Sequence, residues 1–405
     1  MTDQKAPHPI GPREGEGVSA AAGPEGDDGG GVADRVDTGA TGGPGGPDPE
    51  PERGHHKPDE KYDVEDEDDN DSAVGSDKDS VGAPPSAFST GLSVDEQDDD
   101  SGVADVHRPS SSVSATSSIY EFREEFGRTY HSYHEGAYFF PNDIPEQERL
   151  DLQHSIAHRL FGKLALAPID RPKRVIDLGT GTGIWAIEFA TENPTSEVLG
   201  TDLSPIQPEY VPPNCHFEID DGEDEWVFSH PFDYVHARFM CGGFRDFPRV
   251  FRSAFENMVP GGWIEFQDYY VKMQCVDDSL RGTALERWND LLLDAVSRTG
   301  KSGLAAARFR EQMLDAGFVD VVEKKFALPG NAWPKGRKQK MLGTMQMMNI
   351  MDGLHGISMG LFTKMLGWNE QEVEELIAQV SRDLRDKRIH FYYIVMSVYG
   401  RKPLA

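Results

Sequence analysis

Apolar and polar positions follow two rhythms after residue 173. Short apolar runs read as strands: RVIDLG (174–179), SEVLGTDL (196–203), NCHFEIDD (214–221), FDYVHAR (232–238), WIEFQDYY (263–270), FVDVVEKKFALP (318–329) and HFYYIVMSVYGRKP (390–403). Between them lie stretches with apolar residues at helical spacing: GIWAIEFATEN (183–193), FPRVFRSAFENMV (247–259, stopped by PGG), 280–298 and 303–316. A last helix starts at Asn369, with Glu372 three residues on in a capping-box arrangement. Strands alternating with helices predict parallel pairing with helical crossovers, an α/β doubly wound sheet. Upstream, Leu150, Leu152, Ile156, Leu160 and Phe161 predict one more helix, opened by Pro145 and Glu146.

The first 118 residues follow neither rhythm. They hold 28 acidic and 8 basic residues, two thirds of the chain's net charge of −30, and only two aromatics, Tyr62 and Phe88. Such a stretch buries too little apolar surface to offset the entropy of ordering, so 1–118 reads as a disordered acidic tail. Its acid run DVEDEDDNDS (63–72) reads as solvated rather than as a docking site. Three parts are expected: this tail, an N-terminal helical cap segment at 119–170, and an α/β domain at 171–405. Cys215, Cys241 and Cys275 have neither the number nor the spacing of a disulfide framework or a zinc site, so no metal is expected. No signal peptide and no membrane span are read, which suits the cytoplasm or nucleus. The acidity argues against direct nucleic-acid binding.

The candidate chemistry sits after the first strand of the α/β domain. Gly179, Gly181 and Gly183 form G-x-G-x-G, bare backbone where a doubly wound sheet binds its ligands. A dinucleotide fingerprint needs a small residue at 184, but Ile184 and Trp185 stand there, and no Gly-Lys-Ser/Thr of a phosphate loop follows. A nicotinamide-dependent dehydrogenase is therefore disfavoured. Asp202 ends the next strand, placed to accept from two ribose hydroxyls. Asp220 and Asp221 end the third, placed to accept from an adenine amine. Asp177 closes the first strand and can accept from an ammonium. A nucleoside site without phosphate chemistry suits S-adenosylmethionine.

The runs VIDLGTGTGIWAIEFA, VLGTDLSPIQP, FDYVHAR, VPGGWIEFQD and YGRKP, with EFGRTYHSY and YFFPNDIPEQERLDLQH upstream, resemble the fungal LaeA-like S-adenosylmethionine-dependent methyltransferases over residues 120–403. The resemblance implies a Rossmann-like class I methyltransferase fold of seven strands, the last antiparallel. It implies a cofactor loop of Asp177, Gly179, Thr180, Gly181 and Gly183. Asp202 and Leu203 would lie at the ribose, and Asp220 and Asp221 near the adenine. His236 and Arg238, at the end of the fourth strand, would lie where the methyl faces its acceptor. Tyr130 and His131 would belong to a segment closing over the cofactor. The family also includes a nuclear regulator of secondary metabolism that works with velvet-type proteins.

Methyl transfer needs alignment first, and a general base only when the acceptor must lose a proton. His236, His131 and Glu265 are the candidates. The segment 340–366 carries seven of the 13 methionines; it forms part of an insertion at about 335–367, read as core filler with a substrate cap as the alternative. KGRKQK (335–340) reads as a solvated loop rather than an import signal. Three functions stay open: a methyltransferase acting on a small-molecule or protein acceptor, such as a fungal metabolite; a LaeA-like nuclear regulator in a protein complex; and a cofactor-binding module without turnover.

Overall fold

A computed structural model of the chain describes residues 90–93, 122–131 and 138–404. The tail expected at 1–118 falls outside these residues except at 90–93. There Leu92 packs on the core, and the Ser93 carbonyl accepts from the Lys335 amide at 2.8 Å.

A small antiparallel hairpin, β1 (Arg123–Glu125) and β2 (Arg128–Tyr130), precedes helix α1 (Ile144–Phe161). Asp143 caps α1 by accepting from the Glu146 amide, and Arg128 donates to the Asp143 carboxylate at 2.7 Å, tying hairpin to helix. The strands β3 (Arg174–Leu178), β4 (Glu197–Asp202), β5 (Cys215–Ile219), β6 (Phe232–Arg238), β7 (Met258–Cys275), β8 (Val319–Pro329) and β9 (Phe391–Arg401) form one sheet in the order β5-β4-β3-β6-β7-β9-β8. Pairing is parallel from β5 across to β7, and β9 runs antiparallel between β7 and β8. This is the seven-stranded, mostly parallel sheet with an antiparallel last strand that the resemblance implies.

The strands reverse order beside β3, so the loops after β3, β4 and β5 gather at one edge. One face of the sheet is covered by α1, α2 (Ile184–Glu192), α4 (Ala284–Arg298), α6 (Arg337–Leu361) and α7 (Glu370–Arg385), around Trp185, Trp288 and Phe362. The other is covered by α3 (Phe247–Glu256) and α5 (Phe309–Asp315), around Phe251, Phe266 and Phe309. The capping box expected at Asn369 and Glu372 is present.

Four expectations change. The PGG run does not end a helix: α3 stops at Glu256, and β7 runs straight through Pro260, Gly261 and Gly262. The backbone there is held by Lys402, whose carbonyl accepts from the Gly261 amide and whose amide donates to the Gly262 carbonyl. β5 ends at Ile219, leaving Asp220 and Asp221 in the loop after it. The segment 303–316 divides into a 3-10 turn, Ala305–Arg308, and α5. KGRKQK is not all loop, since α6 begins at Arg337 within it; the α6 methionines pack in or against the core, as the filler reading has them.

α6 docks on α1 and the hairpin through glycines. A Cβ at Gly353 would meet the Arg149 side chain at 2.8 Å, and one at Gly356 would meet the Pro141 ring at 2.9 Å and Arg128 at 3.0 Å. Gly356→Val therefore forces cap and helix apart. The expected result is a loss of about 2 kcal/mol in urea denaturation, since overpacking outweighs the small gain in helix propensity.

Among the described residues no helix is long and apolar enough to cross a membrane, and no group of His, Cys, Asp and Glu is placed to hold a metal ion.

Candidate active site

The loop leaving β3 turns on three glycines with positive φ, +63° at Gly179, +59° at Gly181 and +80° at Gly183. A side chain at any of them would be strained in this conformation. Gly183 then opens α2. The loop is bound to β4 at several points. The Thr180 amide donates to the Thr201 carbonyl at 2.9 Å, and the Gly181 amide to Asp202 Oδ2 at 2.8 Å. Asp202 Oδ1 accepts the Ser204 amide at 2.9 Å. Burial pushes the Asp202 carboxyl up to about 6, while these two amides and His131 pull it down. An ionised carboxylate has about four acceptor positions, so two amides leave room for two hydroxyls. Leu203 follows, half-buried.

The glycines do not leave the loop bare. The Cβ positions of Gly179 and Gly183 are taken by the Met240 thioether and the Phe217 ring, each 2.4 Å from where a Cβ would stand, and Leu150 of α1 lies 3.5 Å from that of Gly181. Part of what reads in the sequence as ligand space is the protein's own packing. Thr182 fixes α1 further by donating to Asp151 at 2.7 Å.

Asp220 and Asp221 sit beside Asp202 at the same edge. The Asp220 amide donates to the Asp202 carbonyl at 3.1 Å, and Asp220 Oδ1 accepts the Asp221 amide at 3.0 Å. Burial raises the Asp220 carboxyl. His131 is buried, and its Nε2 lies 3.1 Å from the Tyr138 carbonyl. Tyr130 is buried beside Arg128, Asp143 and Glu146, and its hydroxyl has no hydrogen-bond partner among the described residues.

Register aligns Asp177, His236 and Glu265 across three adjacent strands. His236 is fully buried and stacked on Trp185 at 3.7 Å between ring centres. Its Nδ1 meets Asp177 Oδ1 at 2.7 Å, and Thr180 donates to Asp177 Oδ2 at 2.7 Å. Asp177 thus spends one acceptor position on each of its two oxygens within the protein. The Nε2 of its partner His236 is buried and has no hydrogen-bond partner among the described residues.

Glu265 is also buried completely. It accepts from the Leu166 and Ala167 amides, Tyr234, Gln267 and Ser397, and has no oxygen left for a proton-transfer role.

Arg238 reaches His154 of α1, with Nη2 2.6 Å from Nδ1. A guanidinium only donates, so Nδ1 accepts and the proton sits on Nε2, which donates to Glu188 at 2.8 Å. Burial lowers His154 and brings Arg238 down to about 10. His154 and Glu188 escape the sequence reading because their pairing depends on how α1 lies over α2.

A fit to S-adenosylmethionine would draw on the following features. Three acids line one edge, a glycine loop is bonded to one of them, and buried polar atoms on Tyr130 and His236 lack partners among the described residues.

A family profile described as a methyltransferase domain matches residues 149–323. Methyltransferase pytC of Aspergillus terreus is 36% identical over 298 residues, covering 73% of this chain and 92% of that protein. Protein-methionine methyltransferase laeA of Emericella nidulans is 35% identical over 289 residues, covering 70% and 77%. Among solved structures, phosphoethanolamine N-methyltransferase 2 of Haemonchus contortus in complex with S-adenosyl-L-methionine aligns with a TM-score of 0.35 at 17% identity. That alignment covers 62% of this chain and 52%, about half, of that one.

Proposed function

The chain belongs to the LaeA-like fungal methyltransferases, and from that membership we propose that it takes its methyl group from S-adenosylmethionine held along the loops after β3, β4 and β5. The observation that carries this reading is the bond from the Gly181 amide to Asp202. It makes the glycine loop and the ribose-binding acid one rigid unit. Asp202 would accept from the ribose hydroxyls, Asp220 and Asp221 would lie at the adenine, and the Gly179–Gly183 backbone would carry the methionine end. When bound, the cofactor supplies a methyl group made electrophilic by a sulfonium. The protein's part is to orient an acceptor and exclude water.

The acceptor we read as a small molecule. The transfer end is roofed by α6, whose Gln346 accepts from the Tyr269 hydroxyl at 3.2 Å, and Tyr269 stacks on Phe239 at 4.9 Å. An aromatic surface of this kind suits a secondary metabolite. A second reading, a regulator acting in the nucleus with a velvet-type partner, draws on the 35% identity to laeA. Co-purification with velvet-type proteins and nuclear localisation would favour it over the first.

Calorimetric titration of the full chain tests the cofactor reading. S-adenosylmethionine and S-adenosylhomocysteine are both expected to bind and NAD is not. A folded chain that binds neither sulfur compound overturns it.

A further inference from the structure

Asp268 is the first residue of β7 beyond the last β6–β7 pair, Arg238 with Gln267. It stands at the carboxyl end of the parallel strands, where an α/β sheet holds its ligands. Its side chain is 1% exposed. Oδ1 accepts the Tyr269 amide at 2.8 Å, whereas Oδ2 is buried with no well-aligned hydrogen-bond partner among the described residues. A buried carboxylate oxygen in that condition favours either a proton or a nearby cation.

The chain leaving β6 surrounds it. The Phe239 amide donates to the Gln267 carbonyl at 2.8 Å, and Met240 lays its thioether on Gly179. The Cys241 thiol and the Met240 and Cys241 amides donate toward the Asp268 carboxyl and favour its ionised form. This loop therefore touches the glycine loop at one residue and Asp268 at the next. Burial and the neighbouring carboxylate push the Cys241 thiol well up, so it stays neutral. Lys301 binds the Gly242 carbonyl at 2.9 Å; burial and Arg245 lower it to about 8, against the pull of Glu223 and Asp221. Burial pushes the Asp268 carboxyl up to about 7 against those amides and the thiol. By contrast, Asp177 and Glu265 have every oxygen engaged.

We propose that Asp268 is the proton acceptor of methyl transfer, with Oδ2 facing the sulfonium end of the bound cofactor; the assignment rests on the S-adenosylmethionine reading above. In the step it serves, the acceptor's bond to hydrogen breaks and its electron pair forms the bond to the methyl carbon. The carbon–sulfur bond breaks with its pair left on sulfur, and the proton ends on Asp268 Oδ2. A cation beside Asp268 keeps it ionised before transfer. Once the sulfur is neutral, the same burial makes the carboxyl take a proton. The acceptor class follows. It is a molecule whose nucleophilic atom carries a dissociable proton, such as a hydroxyl, an enol or a carboxylic acid. A thioether, with no proton to lose, has no use for this residue.

Calorimetry on the full chain tests this without knowledge of the acceptor. The probes are S-adenosylmethionine and its neutral product S-adenosylhomocysteine, in phosphate and in Tris, from pH 6 to pH 8, with each free ligand's own titration subtracted. Near pH 7 the wild type is expected to release more protons on binding the sulfonium than on binding the thioether. Its preference for the sulfonium is expected to rise by up to about tenfold between pH 6 and pH 8, the gain in ionised Asp268. Asp268→Asn is expected to bind the thioether like the wild type and to lose both differences. A preference that does not change with pH, or that changes equally in Asp268→Asn, overturns the assignment. If the variant does not fold, wild-type proton release decides alone, and equal release for the two ligands overturns it. If the folded wild type binds neither ligand, the cofactor reading itself fails, which is a separate result.

Discussion

Asp202→Ala is expected to weaken S-adenosylmethionine binding by about a hundredfold, equivalent to about 2.7 kcal/mol. The loss has two parts. The ribose loses its acceptor, and the Gly181 and Ser204 amides lose theirs, so the glycine loop comes free of β4. A stranded donor at a partly buried site costs about 1–3 kcal/mol before water or a shift relieves it. Asp202→Asn keeps one acceptor oxygen and is expected to lose about tenfold. The pH dependence has a definite sign. Burial raises this carboxyl to about 6, and the ligand needs its ionised form, so affinity falls as pH drops through 6. Titration calorimetry of the three proteins at pH 5.5 and pH 7.5 checks both claims. A variant that binds as tightly as the wild type would remove Asp202 from the site.

Glu265→Ala is expected to destabilise the protein by about 4 kcal/mol, the range found when one side of a buried polar network is removed. Its carboxylate joins the segment after α1, through the Leu166 and Ala167 amides, to Tyr234 of β6, Gln267 of β7 and Ser397 of β9. Alanine strands all of these donors in a place water does not reach. Glu265→Gln keeps the shape but turns an amide hydrogen toward other donors, and is expected to cost about half as much. Urea denaturation measures both. At a temperature where Glu265→Gln is folded, it is expected to bind S-adenosylmethionine like the wild type. Normal stability with lost binding would make Glu265 a ligand-contacting residue instead.

Local pattern was sufficient for most of the sheet. The runs at 174–179 and 196–203 became β3 and β4, and the capping pair Asn369 and Glu372 marked α7 to the residue. What local pattern missed depends on distant partners. Pro260-Gly261-Gly262 reads as a stop until Lys402 is brought alongside to pair with it. The hairpin Arg123–Tyr130 is too polar and short to show a strand rhythm, and is fixed by Arg128 on Asp143. The candidate site divides in the same way. The glycine loop and Asp202 carry their chemistry in spacing, and the structure places them in contact. His236 and Glu265 have the right residue types for a base but are held by neighbours on adjacent strands. Asp268 has no motif at all. Its position depends on where β6 stops pairing with β7, a matter of register that no window of sequence contains.

The place of β9 bears on how the molecule is made. β8 pairs with no strand of the sheet except β9, and β9 fills the gap beside β7 with its first ten residues buried. The strand needed in the middle is the last of the seven to leave the ribosome. While residues 276–390 are being added, on the order of ten seconds at ordinary synthesis rates, the edge of β7 waits open. That edge is apolar and hydrogen-bonding, the kind of surface that recruits a chaperone or a neighbouring nascent chain. A stop codon before residue 391 would leave β8 without a partner and make the exposure permanent.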